Sequence, residues 1–381
     1  MPDIFKISPK YVQDAIQAHH GSVPNSDNSS VGAGQLGGQR FLNLLSKHQT
    51  AGSVFTNDIA STYSIVQVSN SSDAYVGGVL DTNGEIHFVP LSANRGQKIS
   101  TTGVASTYSL IYTSFQGYWG GVLASNGDIH FIPYSANRGQ KVSSTGVVST
   151  YSLIYTVSRA YRGGVVAPNG DIHFVPWEAN RGQKVSSTGV VSTYSLIYTT
   201  SLGAYDGGVL APNGEIHFVP SRAPVGQKIS IDGTVSTYTL VNTGFSSLYS
   251  GGVLAPNGDI HFVPHEANRG QKISSSGIVS TYSLIYNTNT AYVGGALSPN
   301  GDIHFIPYSA NRGQKVSSAG VVSTYSLART GVSYSGGVVS TTGEIHFIAY
   351  NMGISALGQK ITTHGQPLPL GALLSPFLNK Y

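Results

Sequence analysis

Cysteine is absent from all 381 residues, which excludes a disulfide framework and a thiolate metal site and leaves the redox compartment unread. Charge is scarce: 10% of residues are charged, and 21 basic and 17 acidic side chains leave a formal charge of +4. They are spread along the chain with no basic run or stripe, so nucleic acid is not an expected partner. No stretch approaches the ~20 apolar residues of a membrane helix, so membrane insertion is not expected. The first residues, Met1 to Lys10, lack the basic segment and apolar core of a secretory leader, and the expectation is a chain made soluble in the cytoplasm. No nucleotide-binding glycine fingerprint or metal-ligand motif occurs, so neither cofactor nor metal is expected.

What is present is repetition. The phrase Gly251-Gly-Val-Leu-Ala-Pro-Asn-Gly-Asp-Ile-His-Phe-Val-Pro264 has near-copies starting at Gly77, Gly120, Gly163, Gly207, Gly294 and Gly336, at intervals of 43, 43, 44, 44, 43 and 42 residues. A fixed period of this size governs the reading of the whole chain. Each unit divides into four short strands. Strand A is Tyr-x-Gly-Gly-Val-Leu, as at Tyr205 to Leu210; the dipeptide Asn213-Gly214 then signals a tight hairpin, with a type I′ turn as the expectation. Strand B is acid-Ile-His-Phe-Val/Ile, usually closed by proline. A Ser/Glu-Ala-Asn-Arg-Gly loop leads to strand C, Gln-Lys-Ile/Val-Ser, and a glycine turn to strand D, Val-Ser-Thr-Tyr-Ser-Leu.

Four antiparallel strands every ~40 to 45 residues match one blade of a β-propeller, a fold with roughly four to eight blades. The seven copies predict an all-β, seven-bladed β-propeller over residues 51 to 365. A solenoid predicts shorter repeats and a parallel sheet, which the hairpin signals disfavour. Strand D appears first at Ala60 to Val66, before any strand A, while the last unit, Tyr334 to Thr362, has no following D. With A innermost, where Gly-Gly permits close approach, the N-terminal D strand becomes the outer strand of the last blade. Placing D innermost would instead give seven intact blades. Residues 1 to 50 form an extension with a short amphipathic helix from Ser8-Pro9 to Gly21, a polar tether and a further helical turn; residues 366 to 381 form an apolar tail. Tyr11, Val12, Ile16, Phe41, Leu44, Leu373, Leu374, Phe377 and Leu378 are the expected docking residues.

Three recurrent elements carry polar or aromatic chemistry. The acid-x-His pairs of strand B include Asp128/His130, Asp171/His173, Glu215/His217, Asp259/His261 and Asp302/His304. Residues two apart share a strand face. Seven equivalent pairs stand apart around a ring rather than converge, so the pairs read as a structural network fixing blade-to-blade register, with Ser or Thr of strand D or the lysine of strand C as partners. The idea is similar to the Asp-His-Ser/Thr network of WD-repeat propellers, in a different residue order. The Asn-Arg loops, Asn94-Arg95, Asn137-Arg138, Asn180-Arg181, Asn268-Arg269 and Asn311-Arg312, read either as turns with a solvated arginine or as five equivalent glycan or carboxylate sites. The tyrosines of strands A and D read as packing between blades. Departures from the repeat, among them Trp119, Arg159, Arg162, Trp177, Asp206, Arg222, His265 and Met352, fall on different blades and supply no set of nucleophile, base and oxyanion donors. The expectation is therefore a protein that is not an enzyme and has no catalytic residues.

The Pro-Asn-Gly-x-Ile-x-Phe-Val/Ile-Pro phrase resembles repeats of propeller-like proteins of phages, other viruses and bacteria. The resemblance implies a virion component, a structural or host-attachment protein anchored by its ends to capsid or tail proteins. Two alternatives stay open: a multivalent lectin for cell-surface glycans, whose weak sites multiply, and an intracellular interaction scaffold.

Overall fold

Each Tyr-x-Gly-Gly run opens a four-stranded antiparallel sheet, and the sheets are arranged as a seven-bladed propeller. The computed structural model describes residues 58–67, 73–244, 246–331, 333–350 and 357–363. The expectations for residues 1–50 and 366–381, including every docking residue, and for Met352 lie outside the described residues. Blades 1 to 6 span residues 75–109, 118–152, 161–195, 205–239, 249–283 and 292–325, each with strands in the order A-B-C-D. No helix occurs among the described residues.

Strand A is innermost. The strand A of each blade packs against that of the next, and a Cβ built on Gly120 would lie 2.9 Å from the Gly163 Cα. Gly120 sits at φ +87°, in a bulge between Tyr118 and Gly121, so both the crowding and the backbone angle demand glycine. The tyrosine before it is buried and donates its hydroxyl across the blade, Tyr118 to the Arg138 carbonyl at 3.1 Å. Strand A tyrosines and strand B phenylalanines, such as Tyr161 and Phe174 with ring centroids 5.5 Å apart, fill the blade cores.

The A–B hairpin forms where Asn-Gly predicts it, but not as a type I′ turn. Asn126 is not among the residues with positive φ, whereas Gly127 has φ +87°. Gly127 N–H donates to the Ala124 carbonyl at 2.9 Å and Ala124 N–H to the Asp128 carbonyl at 2.8 Å. This is a type I turn followed by a glycine bulge. Asn126 accepts the Asp128 N–H on its side-chain oxygen at 3.0 Å, a local bond that leaves its own backbone in an ordinary conformation.

The ring closes by strand exchange between the chain's two ends. Blade 7 consists of Tyr334–Val339, Ile345–Ala349, Leu357–Thr362 and, as its outer strand, Ile59–Ser64. Ile59 pairs with Thr362 and Ser64 with Leu357, antiparallel. Asp58, at the start of this strand, reaches Lys315 of blade 6 at 2.6 Å.

Neighbouring blades are also tied by a buried glutamine in strand C. Gln140 is fully buried and accepts the N–H groups of Ile111 and Tyr112, at 3.0 and 2.8 Å, from the connector leaving blade 1. Gln183, Gln227, Gln271 and Gln314 repeat the arrangement. Gln140→Leu leaves these backbone groups without partners, and a loss of about 2–3 kcal/mol is expected in urea unfolding. A change under about 0.5 kcal/mol, the level of an ordinary surface substitution, would remove the glutamine from its role as the lock.

Candidate functional site

The acid-x-His pairs lie within blades, not between them. Asp128 pairs with Lys141 of strand C at 2.7 Å, and His130 Nδ1 meets the Tyr151 hydroxyl of strand D at 3.2 Å. Asp171, Asp259 and Asp302 likewise meet Lys184, Lys272 and Lys315, while His173, His261 and His304 meet Tyr194, Tyr282 and Tyr325. In blade 4, Glu215 takes Lys228 and approaches His217 Nε2 at 3.5 Å, and His217 Nδ1 has no partner. The tyrosine ring lies over the strand C glycine: a Cβ on Gly139 would be 2.1 Å from the Tyr151 ring. Register between blades therefore belongs to the glutamines, a role the sequence reading gave to the acid-x-His pairs.

These histidines predict an acid-sensitive ring. Burial, reinforced by the neighbouring lysine and partly offset by the carboxylate, depresses His130, His173 and His261 from 6.5 to about 4. Burial also depresses His217 to about 4 and His304 to about 3. The unfolded chain then binds more protons than the folded one below about pH 6.5, so stability is full above that pH and falls as pH drops toward 4. The slope is up to about 1.4 kcal/mol per pH unit for each histidine. Melting temperature should fall steadily between pH 7 and pH 4.5; a flat profile would contradict the assignment.

The five Asn-Arg loops are exposed at every position, from Asn94 and Arg95 to Asn311 and Arg312. Arg138, Arg181 and Arg312 stack over Tyr112, Tyr155 and Tyr286, with guanidinium-to-centroid distances of 5.8, 5.3 and 5.8 Å. Arg269 instead donates to the Thr281 hydroxyl at 3.1 Å.

Departures from the repeat converge where the sequence reading had them scattered. Two columns of the repeat vary from blade to blade. One precedes Gly-Gly: Val76, Trp119, Arg162, Asp206, Ser250, Val293 and Ser335. The other follows strand B: Leu91, Tyr134, Trp177, Ser221, His265, Tyr308 and Tyr350. Tyr161 pairs with Pro176 in the sheet, so both columns border the same end of strands A and B, beside the axis. Arg162 is held there by three blades. Its guanidinium lies 3.8 Å from the Trp119 ring centroid and 3.6 Å from that of Trp177. It donates to Asp206 at 3.3 Å and to the Tyr134 hydroxyl at 3.2 Å. Asp206 also accepts from Ser250 at 3.0 Å, and Arg159 donates to Tyr134 at 3.0 Å and pairs with Glu178 at 3.2 Å.

The second column continues with ring contacts from blade to blade. His265 and Tyr308 have ring centroids 5.9 Å apart, as do Tyr308 and Tyr350. Burial raises the Tyr350 phenol, Asp73, Tyr308 and Tyr134 raise it further, and Arg162 lowers it. Residues of blades 2, 3, 6 and 7 thus act on one another electrostatically. Trp119, Tyr308, Tyr350 and His265 are partly exposed. Arg162 Nε, Trp177 Nε1 and the Ser221 hydroxyl are buried without hydrogen-bond partners among the described residues. Of the departures named from sequence, Trp119, Arg159, Arg162, Trp177, Asp206 and His265 meet here. Tyr134, Tyr308, Tyr350 and Ser250 escaped that reading because tyrosine and serine are common throughout the repeat; comparing the copies column by column exposes them.

The class defined by this geometry is the seven-bladed β-propeller with one asymmetric axial cluster. No family profile and no curated protein matches the chain. Among solved structures it is similar to a streptogramin B lyase, at 20% identity and a TM-score of 0.70, over 82% of this chain and 100% of that one. It is also similar to virginiamycin B lyase from Staphylococcus aureus, at 17% identity and 0.69, over 81% and 100%. The WD40 propeller domain of Doa1 matches at 12% identity and 0.60, over 80% and 98%. At these identities the likeness is one of fold. It nevertheless overturns the expectation that this chain is not an enzyme. Proteins named as lyases carry the same fold, and the scatter of non-repeating residues that argued against a site is a convergence near the axis.

Proposed function

We propose that this propeller is an attachment protein of a virus or phage particle, recognising a cell-surface glycan at the axial cluster. The supporting observation is the gathering of Trp119, Tyr308, Tyr350 and His265, each partly exposed, around the fixed Arg162–Asp206 pair. Aromatic faces stack on the apolar faces of sugars, and neighbouring charged and amide groups bond their hydroxyls. Arg162 is prevented from wandering by two indole rings and a carboxylate, so the surface is preorganised. Residues 1–50 and 366–381 supply the docking to capsid or tail proteins in this reading. A second reading, a multivalent lectin acting through the rim loops, draws on the exposed arginines stacked over connector tyrosines.

A glycan array probed with the whole protein, with the reaction mixture assayed for altered glycan, tests the proposal. Binding that Trp119→Ala and Tyr308→Ala abolish supports the axial site. Binding that survives both, or no binding to any glycan, overturns it. Separately, a ring lacking residues 1–50 and 366–381 should fold but fail to enter the particle; incorporation of that ring contradicts the docking assignment.

A further inference from the structure

The closure seam carries a cavity on the opposite side of the blades from the Asn-Arg loops. Between blade 7 and blade 1 lies a cleft of about 310 Å³, against about 90 Å³ for the equivalent cleft between blades 3 and 4. The smaller holds about three waters, whereas the larger reaches the range of small-ligand sites, ~300–1,000 Å³. The residues flanking the hairpin glycine differ between the two clefts. Thr101 and Thr341 flank Gly84 at the seam, where Ile231 and Pro168 flank Gly214 in the smaller cleft.

The lining is rich in hydroxyl groups. Ser100, Thr101 and Thr102 come from the C–D turn of blade 1, and Ser340, Thr341 and Thr342 from the A–B hairpin of blade 7. Ser100 and Ser340 are engaged with Thr102 and Thr342, while no side-chain hydrogen bond engages Thr101 or Thr341 among the described residues. Ile86, Ile99 and Tyr63 add apolar surface. Glu344 is paired with Lys360 at 2.8 Å and accepts from Thr362 at 3.2 Å, so the cleft's one lysine and one carboxylate offset each other.

The seam histidine, like His217 of blade 4, has an Nδ1 without a partner. In blades 1, 2, 3, 5 and 6 the strand B histidine meets its strand D tyrosine through Nδ1. At the seam the Tyr63 hydroxyl donates to the Phe347 carbonyl instead, at 3.0 Å, and His346 Nδ1 is left without a partner. His346 is 5% exposed and lines the cleft. A buried imidazole nitrogen without a partner, beside a roomy hydroxyl-lined cavity, is the kind of unsatisfied group that a bound polar molecule relieves.

We infer that the seam cleft is a binding site for one neutral saccharide unit, separate from the axial cluster. Neutral hydroxyl-bearing ligands suit a wall of threonine and serine with compensated charge, and the volume suits one ring rather than a chain. The probes are the methyl glycosides of D-glucose, D-galactose and N-acetyl-D-glucosamine, with glycerol as control, titrated into the full protein by saturation-transfer NMR and calorimetry. Saturable binding of at least one glycoside is expected, with glycerol inert. Thr341→Trp, at a half-buried hairpin position, should weaken it at least tenfold, and Pro168→Trp at the matching place between blades 3 and 4 should leave it unchanged. Thr101→Val, a smaller change, should weaken it about threefold. Absence of saturable binding overturns the inference, as does binding indifferent to both seam variants. Because Trp119→Ala leaves the seam intact, binding lost in that variant and retained in Thr341→Trp belongs to the axial site and counts against the seam.

Discussion

Arg162→Ala should lower stability by about 3–5 kcal/mol, a large effect for one side chain, and abolish binding at the axial mouth. The substitution leaves Asp206, 8% exposed, with Ser250 as its remaining polar side-chain partner. It also removes a cation held between two indole rings, a contact worth about 2 kcal/mol or more when desolvated. Arg162→Lys keeps the charge but loses the planar stack and the fork that reaches Asp206 and Tyr134, so an intermediate loss is expected. Asp206→Asn in the Arg162→Ala background should recover part of the stability, because the uncompensated charge disappears. Urea unfolding of the four proteins checks this. If Arg162→Ala unfolds like the parent, the pair contributes nothing and the axial account fails.

A chain starting at residue 66 should melt at least about 10 °C below the parent. It lacks the outer strand of blade 7, and with it six paired positions from Ile59 to Ser64. Backbone bonds contribute about 1 kcal/mol each, and further stability is lost with Tyr63, whose ring lies over Gly358 and 5.0 Å from His346. The remaining three strands end in an unpaired edge beside fully buried Ile361. A synthetic peptide covering residues 58–66 should restore melting when added in excess, because binding the vacant edge stabilises the folded ring by mass action. An unchanged melting temperature without the peptide would mean that the ring is not held by this exchange.

Much of the architecture was legible because the chain states it seven times. Asn-Gly located every hairpin it occupies, and Gly-Gly located the axis, since crowding between Gly120 and Gly163 is a property of position that only glycine meets. The missing D strand at one end and the surplus one at the other placed the closure. Turn type was misread: dipeptide statistics favour type I′, but Asn126 bonds forward to Asp128 and only Gly127 takes positive φ. The inter-blade lock was misread for a different reason. Gln140 looks like a polar surface residue in a strand, and its partners Ile111 and Tyr112 are backbone groups in a connector, which side-chain patterns do not report. The axial cluster was half-read. Trp119, Arg162 and Trp177 stood out as departures, yet their meeting depends on the ring bringing Trp119 of blade 2 beside Arg162 and Trp177 of blade 3, and a linear sequence separates Trp119 from the other two by a whole repeat or more.

The central claim is that recognition resides in the non-repeating axial cluster and not in the repeated rim. The direct test is glycan binding by the parent, by Trp119→Ala, and by a variant carrying Arg95→Ala, Arg138→Ala, Arg181→Ala, Arg269→Ala and Arg312→Ala together, all confirmed folded by circular dichroism and melting. The account predicts that Trp119→Ala loses binding at least tenfold while the five-arginine variant binds like the parent. Loss confined to the five-arginine variant would contradict it and assign recognition to the rim.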